Sequence, residues 1–310
     1  MNGKTRNDAL SRRIYRSRYE YLFLLPALIS VAVFCYRPMI GVIMAFQNYT
    51  PRGGLLNSEW VGLAHFQNFL TNRNFYNALK NTMVISVLGF LVGFPLPIVL
   101  ALMFSEVRFI RFKKITQTVS YLPHFISWVI ISGVLYKILN HDYGSVNLLI
   151  VALGGKPIDF LKDKDFFIPM LITVSIWKEL GWNSIIYLAA ITGVDVQLYE
   201  AATVDGAGRF KKIFYITLPG IYPTIALLLI LSAGSIFGSA YTSFDAIFNL
   251  RNPYVADAAN VLEYYIYREG IYNRNFSYAT AVGMALSIVS FSCVFTANSI
   301  SRKLQGYGVF

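Results

Sequence analysis

The chain has 310 residues, of which 55% are apolar with tyrosine counted, 16% aromatic and only 14% charged, against about 25% charged in an ordinary soluble domain. That deficit excludes a water-exposed globule, and the composition equally excludes intrinsic disorder, a collagen-like fibre and a disulfide scaffold. A net charge of +11 would suggest a nucleic-acid partner in a soluble protein, but here the basic residues cluster at the ends of apolar runs, where they set membrane orientation instead.

In chain order, residues 1–18 form a basic tail, followed by a first apolar segment with its extension at 19–46, whose uncharged run covers 21–36 and carries Pro26. No small-residue cleavage site follows that run, so it is expected to remain as an anchor. Residues 47–76 mix turn formers with scattered aromatics and are expected to form an ordered outer loop at headgroup level. Uncharged runs at 81–105, 115–136, 213–244 and 275–301 are each long enough to cross the hydrocarbon core, which takes about 20 residues at 1.5 Å each. A sixth run, 166–194, is interrupted by Lys178 and Glu179 and is the weakest by hydropathy. Residues 140–165 read as another outer loop, and 302–310 as a short tail. The fold class is therefore all-α: a polytopic membrane helix bundle of six transmembrane helices, with the core at 77–301.

The N-terminal tail, the connection at 108–114, the connection at 209–212 and Arg302–Lys303 hold fifteen basic residues, while the other three connections, though longer, hold fewer. Basic residues in short connections stay cytoplasmic, so both termini and the segment 195–219 are expected inside the cell. Cys35 and Cys293 lie in apolar runs and read as packing residues. Three histidines and two cysteines supply no set with metal-ligand spacing. Gly154-Gly155-Lys156 is followed by Pro157 and lacks the upstream glycine of a phosphate-binding loop.

The informative segment is LYEAATVDGAGRFKKIFYITLPGIYPTI, from Leu198. Asp195 is placed to cap a short helix, the glycines at 206 and 208 allow a tight turn, and Pro219 starts a new piece of chain. On these grounds the segment is either a surface loop or a compact amphipathic helix and turn that fits a groove on a partner.

The string resembles the signature of ABC-importer permeases, the binding-protein-dependent inner-membrane components: Glu-Ala-Ala, three residues, Gly, nine residues, Ile-x-Leu-Pro. Here these are Glu200, Ala201, Ala202, Gly206, Ile216, Leu218 and Pro219, and Asp205 and Ala207 fit the common Asp-Gly-Ala form. YLFLLPALISVAVFCYRPMIGVIMAFQNYTP, WVGLAHFQNFL and the ending YATAVGMALSIVSFSCVFTANSISRKLQGYGVF are similar to the subgroup that imports polysaccharide fragments and oligosaccharides in Gram-positive bacteria. The resemblance implies a type I importer fold and one permease of a pair. It implies a second homologous permease, two copies of a cytoplasmic ATPase, an extracellular solute-binding lipoprotein and an oligosaccharide substrate. ATP and Mg would be used by the ATPase, with no cofactor bound by this chain. Glu200, Ala201, Ala202, Asp205, Gly206 and Ala207 would form a coupling helix docked on that ATPase. Other permease solutes, such as glycerol phosphate or a peptide, stay open.

Polar and aromatic residues inside spans are the default candidates for a solute path. These are Trp128 and Tyr136 in the third span, Ser175, Trp177, Glu179, Trp182, Asn183 and Tyr187 in the fourth, and Tyr241 and Phe244 in the fifth. Helix packing and interface anchoring are the alternative for each. Lys178 and Glu179 are sequence neighbours, which point apart on a helix, and separate partners are expected for them. Gly181 is expected to loosen the helix between Trp177 and Trp182. A secondary transporter would more often show repeat-related broken helices and buried ion-coordinating charges, and only Lys178–Glu179 fits that description. A membrane enzyme would need a catalytic constellation, and none is visible.

Overall fold

The computed structural model describes residues 17–305, with the side chains of 304 and 305 left aside. The predicted basic tail up to Arg16 and the last five residues lie outside the described residues. The uninterrupted apolar helices are α1 (Arg18–Phe46), α3 (Arg73–Glu106), α9 (Arg209–Gly234) and α12 (Phe276–Gln305), preceded in the case of α3 by the short α2 (Ala64–Leu70). Two bent pairs bring the candidate spans to six: α4 (Ile110–Phe125) with α5 (Trp128–Ile138), bent by 99°, and α7 (Lys164–Thr192) with α8 (Val196–Val204), bent by 69°. The short α6 (Ser145–Ala152), α10 (Phe244–Leu250) and α11 (Leu262–Tyr267) lie in connections. A two-residue antiparallel ladder, β1 (Gln47–Asn48) with β2 (Glu59–Trp60), closes the first long loop.

Three expectations need correction. The run 115–136 is not one helix: Pro123 lies in the first turn of a 3₁₀ segment, Leu122–Phe125, Ile126 is extended, and Ser127 starts a new helix by accepting the Ile130 N–H at 3.4 Å. The run 213–244 is helical only to Gly234; the chain then turns through Ser235–Tyr241 before α10 starts. Cys35 is exposed on α1 and does not pack within the chain. The weakest run by hydropathy is by contrast one continuous helix of 29 residues, about 43 Å long at 1.5 Å per residue. Asp163 caps it by accepting the Asp165 N–H at 2.9 Å.

The longer connections gather at one end of the bundle. Tyr49 N–H donates to Ser277 Oγ at 2.9 Å, Asn81 Nδ2 to the Asp257 carbonyl at 2.6 Å, and Asn252 Nδ2 to the Leu161 carbonyl at 2.7 Å. Beneath them Phe69, Phe75, Leu262, Tyr265, Tyr278 and Val282 form a buried cluster, and the Tyr265 and Tyr278 hydroxyls share a hydrogen bond of 2.7 Å. The two basic connections meet at the other end, where Arg209 lies 3.7 Å from Glu106. Between the ends, one core packs α7 on α10 through Phe167, Leu171, Ile247 and Leu250, and another joins α3, α7 and α9 through Ala101, Tyr187, Ile191 and Ile221.

Candidate functional site

Two features carry chemistry: a helix at the basic end and a cavity between spans. Helix α8 is held by its caps. Asp195 accepts the Gln197 N–H at 2.9 Å, which satisfies one of the amides that a helix start leaves free. At the other end Gly206 adopts φ +73°, its N–H donates to the Thr203 carbonyl at 3.1 Å, and the Ala207 N–H donates to the Ala202 carbonyl at 2.8 Å. That pair of bonds around a left-handed residue is the Schellman arrangement, which a glycine adopts without the Cβ penalty. No residue of α8 is buried. Glu200, Ala201 and Asp205 are exposed, and Ala202 and Ala207 are half-buried.

The returning chain is tied to this helix. Lys212 Nζ donates to Thr203 Oγ1 at 2.6 Å, and the Tyr199 and Thr217 hydroxyls share a hydrogen bond of 2.9 Å. Pro219 sits in the first turn of Leu218–Gly234, just after a π-helical turn, Ile213–Thr217. Proline lacks an N–H to donate to the preceding turn, and the wider π turn accommodates that gap.

The cavity, of about 440 Å³, lies between α3, α7 and α9 and is closed by the turn after Gly234. Asn183, Ile186 and Tyr187 face it from α7, Phe90 and Phe94 from α3, and Ser232, Ser239 and Tyr241 from the fifth span and its turn. Ser86 and Ser239 share a hydrogen bond of 3.0 Å across it. The Tyr241 ring lies flat against Gly89 and Gly93: a Cβ on Gly89 would stand 2.5 Å from the ring, and one on Gly93 would overlap its hydroxyl. The walls are mainly apolar with a few convergent hydroxyls and one amide, as small-molecule sites commonly are.

Beside the cavity, α7 fastens the break between α4 and α5. Lys178 Nζ donates to the Pro123 carbonyl at 3.4 Å and more closely to that of His124. Glu179 Oε2 is hydrogen-bonded to His124 Nδ1 at 2.8 Å, and the His124 ring stacks on Trp182 at 4.4 Å with 3° between planes. The two charged side chains thus have separate principal partners, although they also approach each other to 3.7 Å. Gly181 does not loosen the helix. A Cβ there would overlap the Ser120 carbonyl, so the glycine lets α4 and α7 touch backbone to backbone.

The other candidates are dispersed. Trp128 packs on the core that contains Phe167 and Leu171. Tyr136 donates its hydroxyl to the Leu250 carbonyl at 3.2 Å. Ser175 is fully buried with its hydroxyl unpartnered. Trp177 lines a second, apolar cavity of about 500 Å³ between α5 and α7. Phe244 lies beyond the first cavity, where its N–H donates to Glu263 Oε2 at 2.6 Å. Burial pushes the Glu263 carboxyl above the usual carboxylate range; the Phe244 N–H opposes the shift and Asp245 adds to it. Sequence reasoning missed Gly89, Gly93 and Phe90. The four-residue spacing of the two glycines, a known signal of close helix approach, marks the groove for Tyr241.

The sequence profile of the family described as "binding-protein-dependent transport system inner membrane component" matches residues 93–305. The chain is 43% identical over 307 residues to the "polygalacturonan/rhamnogalacturonan transport system permease protein YteP" of Bacillus subtilis (strain 168), covering 99% of this chain and 95% of that one. It is 42% identical to "protein LplB" of the same organism, covering 95% and 92%. A crystal structure of a bacterial ABC transporter involved in the import of the acidic polysaccharide alginate includes a chain 40% identical to this one. That chain superposes with a TM-score of 0.86 over 96% of this chain and 99% of the other.

Proposed function

The chain belongs to the family of binding-protein-dependent transport system inner membrane components, and we propose that it is the permease subunit of an ATP-driven importer that translocates oligosaccharides or polysaccharide fragments. The likeness to polysaccharide-fragment and alginate transporter chains supports this reading, and the apolar helices embed the chain in the membrane. In this proposal the end with the basic connections and both termini are cytoplasmic, and the end with the longer loops is extracellular. A second homologous permease completes the pore, an extracellular lipoprotein delivers the sugar, and two cytoplasmic ATPase copies use ATP and magnesium. This chain contributes no ATPase site.

The single observation that carries the coupling role is α8: a helix capped at both ends, fixed to the next span through Tyr199 and Lys212, yet with no buried residue of its own. Such an element transmits displacement without bending, because its ends are tied. Docked in a cleft of the ATPase through Glu200, Ala201, Ala202 and Asp205, with Gly206 and Ala207 turning the chain back, it would move α7 and α9 together. Those two helices wall the cavity, so the same displacement changes the cavity's shape. Each nucleotide state must bind one permease conformation better than the other for transport to follow.

The test is co-purification of the ATPase with the permease pair. Glu200→Arg and Gly206→Trp should each lose the ATPase while the two permeases stay together. A fully coupled complex in both variants would remove α8 from the coupling role.

A further inference from the structure

Four aromatic rings cluster a few residues along the chain from the cavity, on the side proposed above as extracellular. Tyr241 closes the cavity, and three residues later Phe244 begins α10. The Phe244 ring centroid lies 5.2 Å from that of Phe248 and 4.8 Å from that of Tyr267; Phe248 and Tyr267 are 5.8 Å apart, and Tyr264 is 6.3 Å from Tyr267. The guanidinium of Arg251 stands over Tyr264, 4.8 Å from the ring centroid.

The backbone beneath these rings is fixed. Ile247 and Leu250 on the other face of α10 are fully buried, the Leu250 carbonyl is held by Tyr136, and Glu263 takes the N–H of Phe244. The outward face is half-exposed: Phe248 retains 50% of its surface. Arg251 lacks a counter-charge. Its Nε is buried without a hydrogen-bond partner, and no carboxylate pairs with it among the described residues. A partly desolvated guanidinium is costly to leave unpaired, and its planar fork matches a carboxylate or a phosphate.

Ring faces suit the C–H faces of a pyranose, and an unpaired guanidinium beside them suits a sugar acid. We propose that Phe248, Tyr267 and Arg251 form a subsite that receives a uronate residue of the oligosaccharide before it reaches the cavity, with Arg251 pairing its carboxylate. The position of Phe244 three residues after the cavity residue Tyr241 favours sugar over a lipid headgroup, the other anion source in a membrane protein. The inference rests on the importer reading above and extends it to the chemistry of the substrate.

The test is binding of labelled tetragalacturonate and of its fully methyl-esterified form to the complete permease–ATPase complex in phosphatidylcholine nanodiscs, alongside uptake by the complex reconstituted with its binding lipoprotein. Arg251→Gln should weaken tetragalacturonate binding about tenfold, the value of one charged hydrogen-bonded pair, and leave the ester unchanged. Arg251→Lys should recover part of the loss, and Phe248→Ala should weaken both probes. Equal effects of Arg251→Gln on both probes, or none on either, would overturn the subsite. An Arg251 effect that appears only when phosphatidylglycerol is added would assign the site to lipid and overturn it too. A wild-type complex that takes up oligosaccharide while Arg251→Gln matches it leaves the importer standing without the subsite; a wild-type complex that takes up none removes both.

Discussion

The side-chain amine of Lys178 rests against the main-chain carbonyl of His124, at the point where the third span breaks by 99°. A helix end inside a membrane leaves carbonyls with no water to satisfy them. Lys178, its side chain only 8% exposed, reaches from the neighbouring span to supply the missing donor. The charge on α7 that weakened its hydropathy is thus what makes the break in the third span tolerable.

Lys178→Met should therefore destabilise the assembled transporter by about 1–3 kcal/mol, the scale for leaving a buried hydrogen-bond acceptor unpaired. The measurement is the thermal midpoint of the detergent-solubilised complex. A midpoint equal to wild type would show that water, not Lys178, satisfies the carbonyls of Pro123 and His124.

Gly181→Val should be worse than its size suggests, since the added atoms meet the backbone of Ser120 and not a side chain that can swing away. Overpacking of a closed contact costs about 1–3 kcal/mol, and here α4 and α7 must separate to relieve it. Cross-linking between cysteines placed at the two helices should fall in efficiency; unchanged cross-linking would refute the close approach.

Gly89→Leu should push the Tyr241 ring out of its groove and into the cavity. Assembly is expected to survive and uptake to drop at least about tenfold, because about 1.4 kcal/mol of displaced packing corresponds to that factor. Restoration of uptake by Tyr241→Ala in the same chain would establish that the ring is the obstruction, and its absence would point to damage elsewhere.

Asp195→Ala removes the cap of α8 and should cost the helix about 1 kcal/mol. Hydrogen exchange of the amides in Val196–Val204 should quicken without a change in α9. Equal exchange in both proteins would mean that the Gly206 cap, Tyr199 and Lys212 hold the helix without Asp195.

The Glu263 carboxyl is raised by burial, which gives a signed pH dependence. A carboxyl whose folded pKa exceeds its unfolded value, about 4.3, favours the folded state while protonated. That contribution is present below the unfolded pKa and is lost as pH rises through the folded one. Glu263→Gln should match wild type in thermal midpoint near pH 4 and exceed it at neutral pH. A gap that is constant with pH would show that the carboxyl does not titrate differently on folding.

Helix α8 was legible in sequence because its caps are local: Asp195, Gly206 and Ala207 act within a dozen residues, and a spacing pattern captures them. The break at Ile126 was not, since Pro123 only hints at it and the donor that compensates it sits on another helix. Hydropathy also overran the end of the fifth span, because Ser235, Gly238 and Ser239 turn the chain without adding charge. Asn183 and Tyr187 stood out by polarity on an apolar helix, whereas Phe90 looked like any other apolar residue in its run. Neither the ring series of α10 and α11 nor the isolation of Arg251 has a sequence signature; both depend on the fold bringing residues 244–251 beside 264–267.

Every residue from Arg18 to Ile40 is exposed, and α1 joins the bundle chiefly where its last turns, Ile40–Phe46, meet α12. Nothing inside this polypeptide reads the shape of those side chains. What holds them is transfer from water to hydrocarbon, which fixes depth but not azimuth, so the segment is a boom hinged at its C-terminal end. Where it points is decided by whatever lies alongside it, and an isolated copy of the chain has no means of choosing.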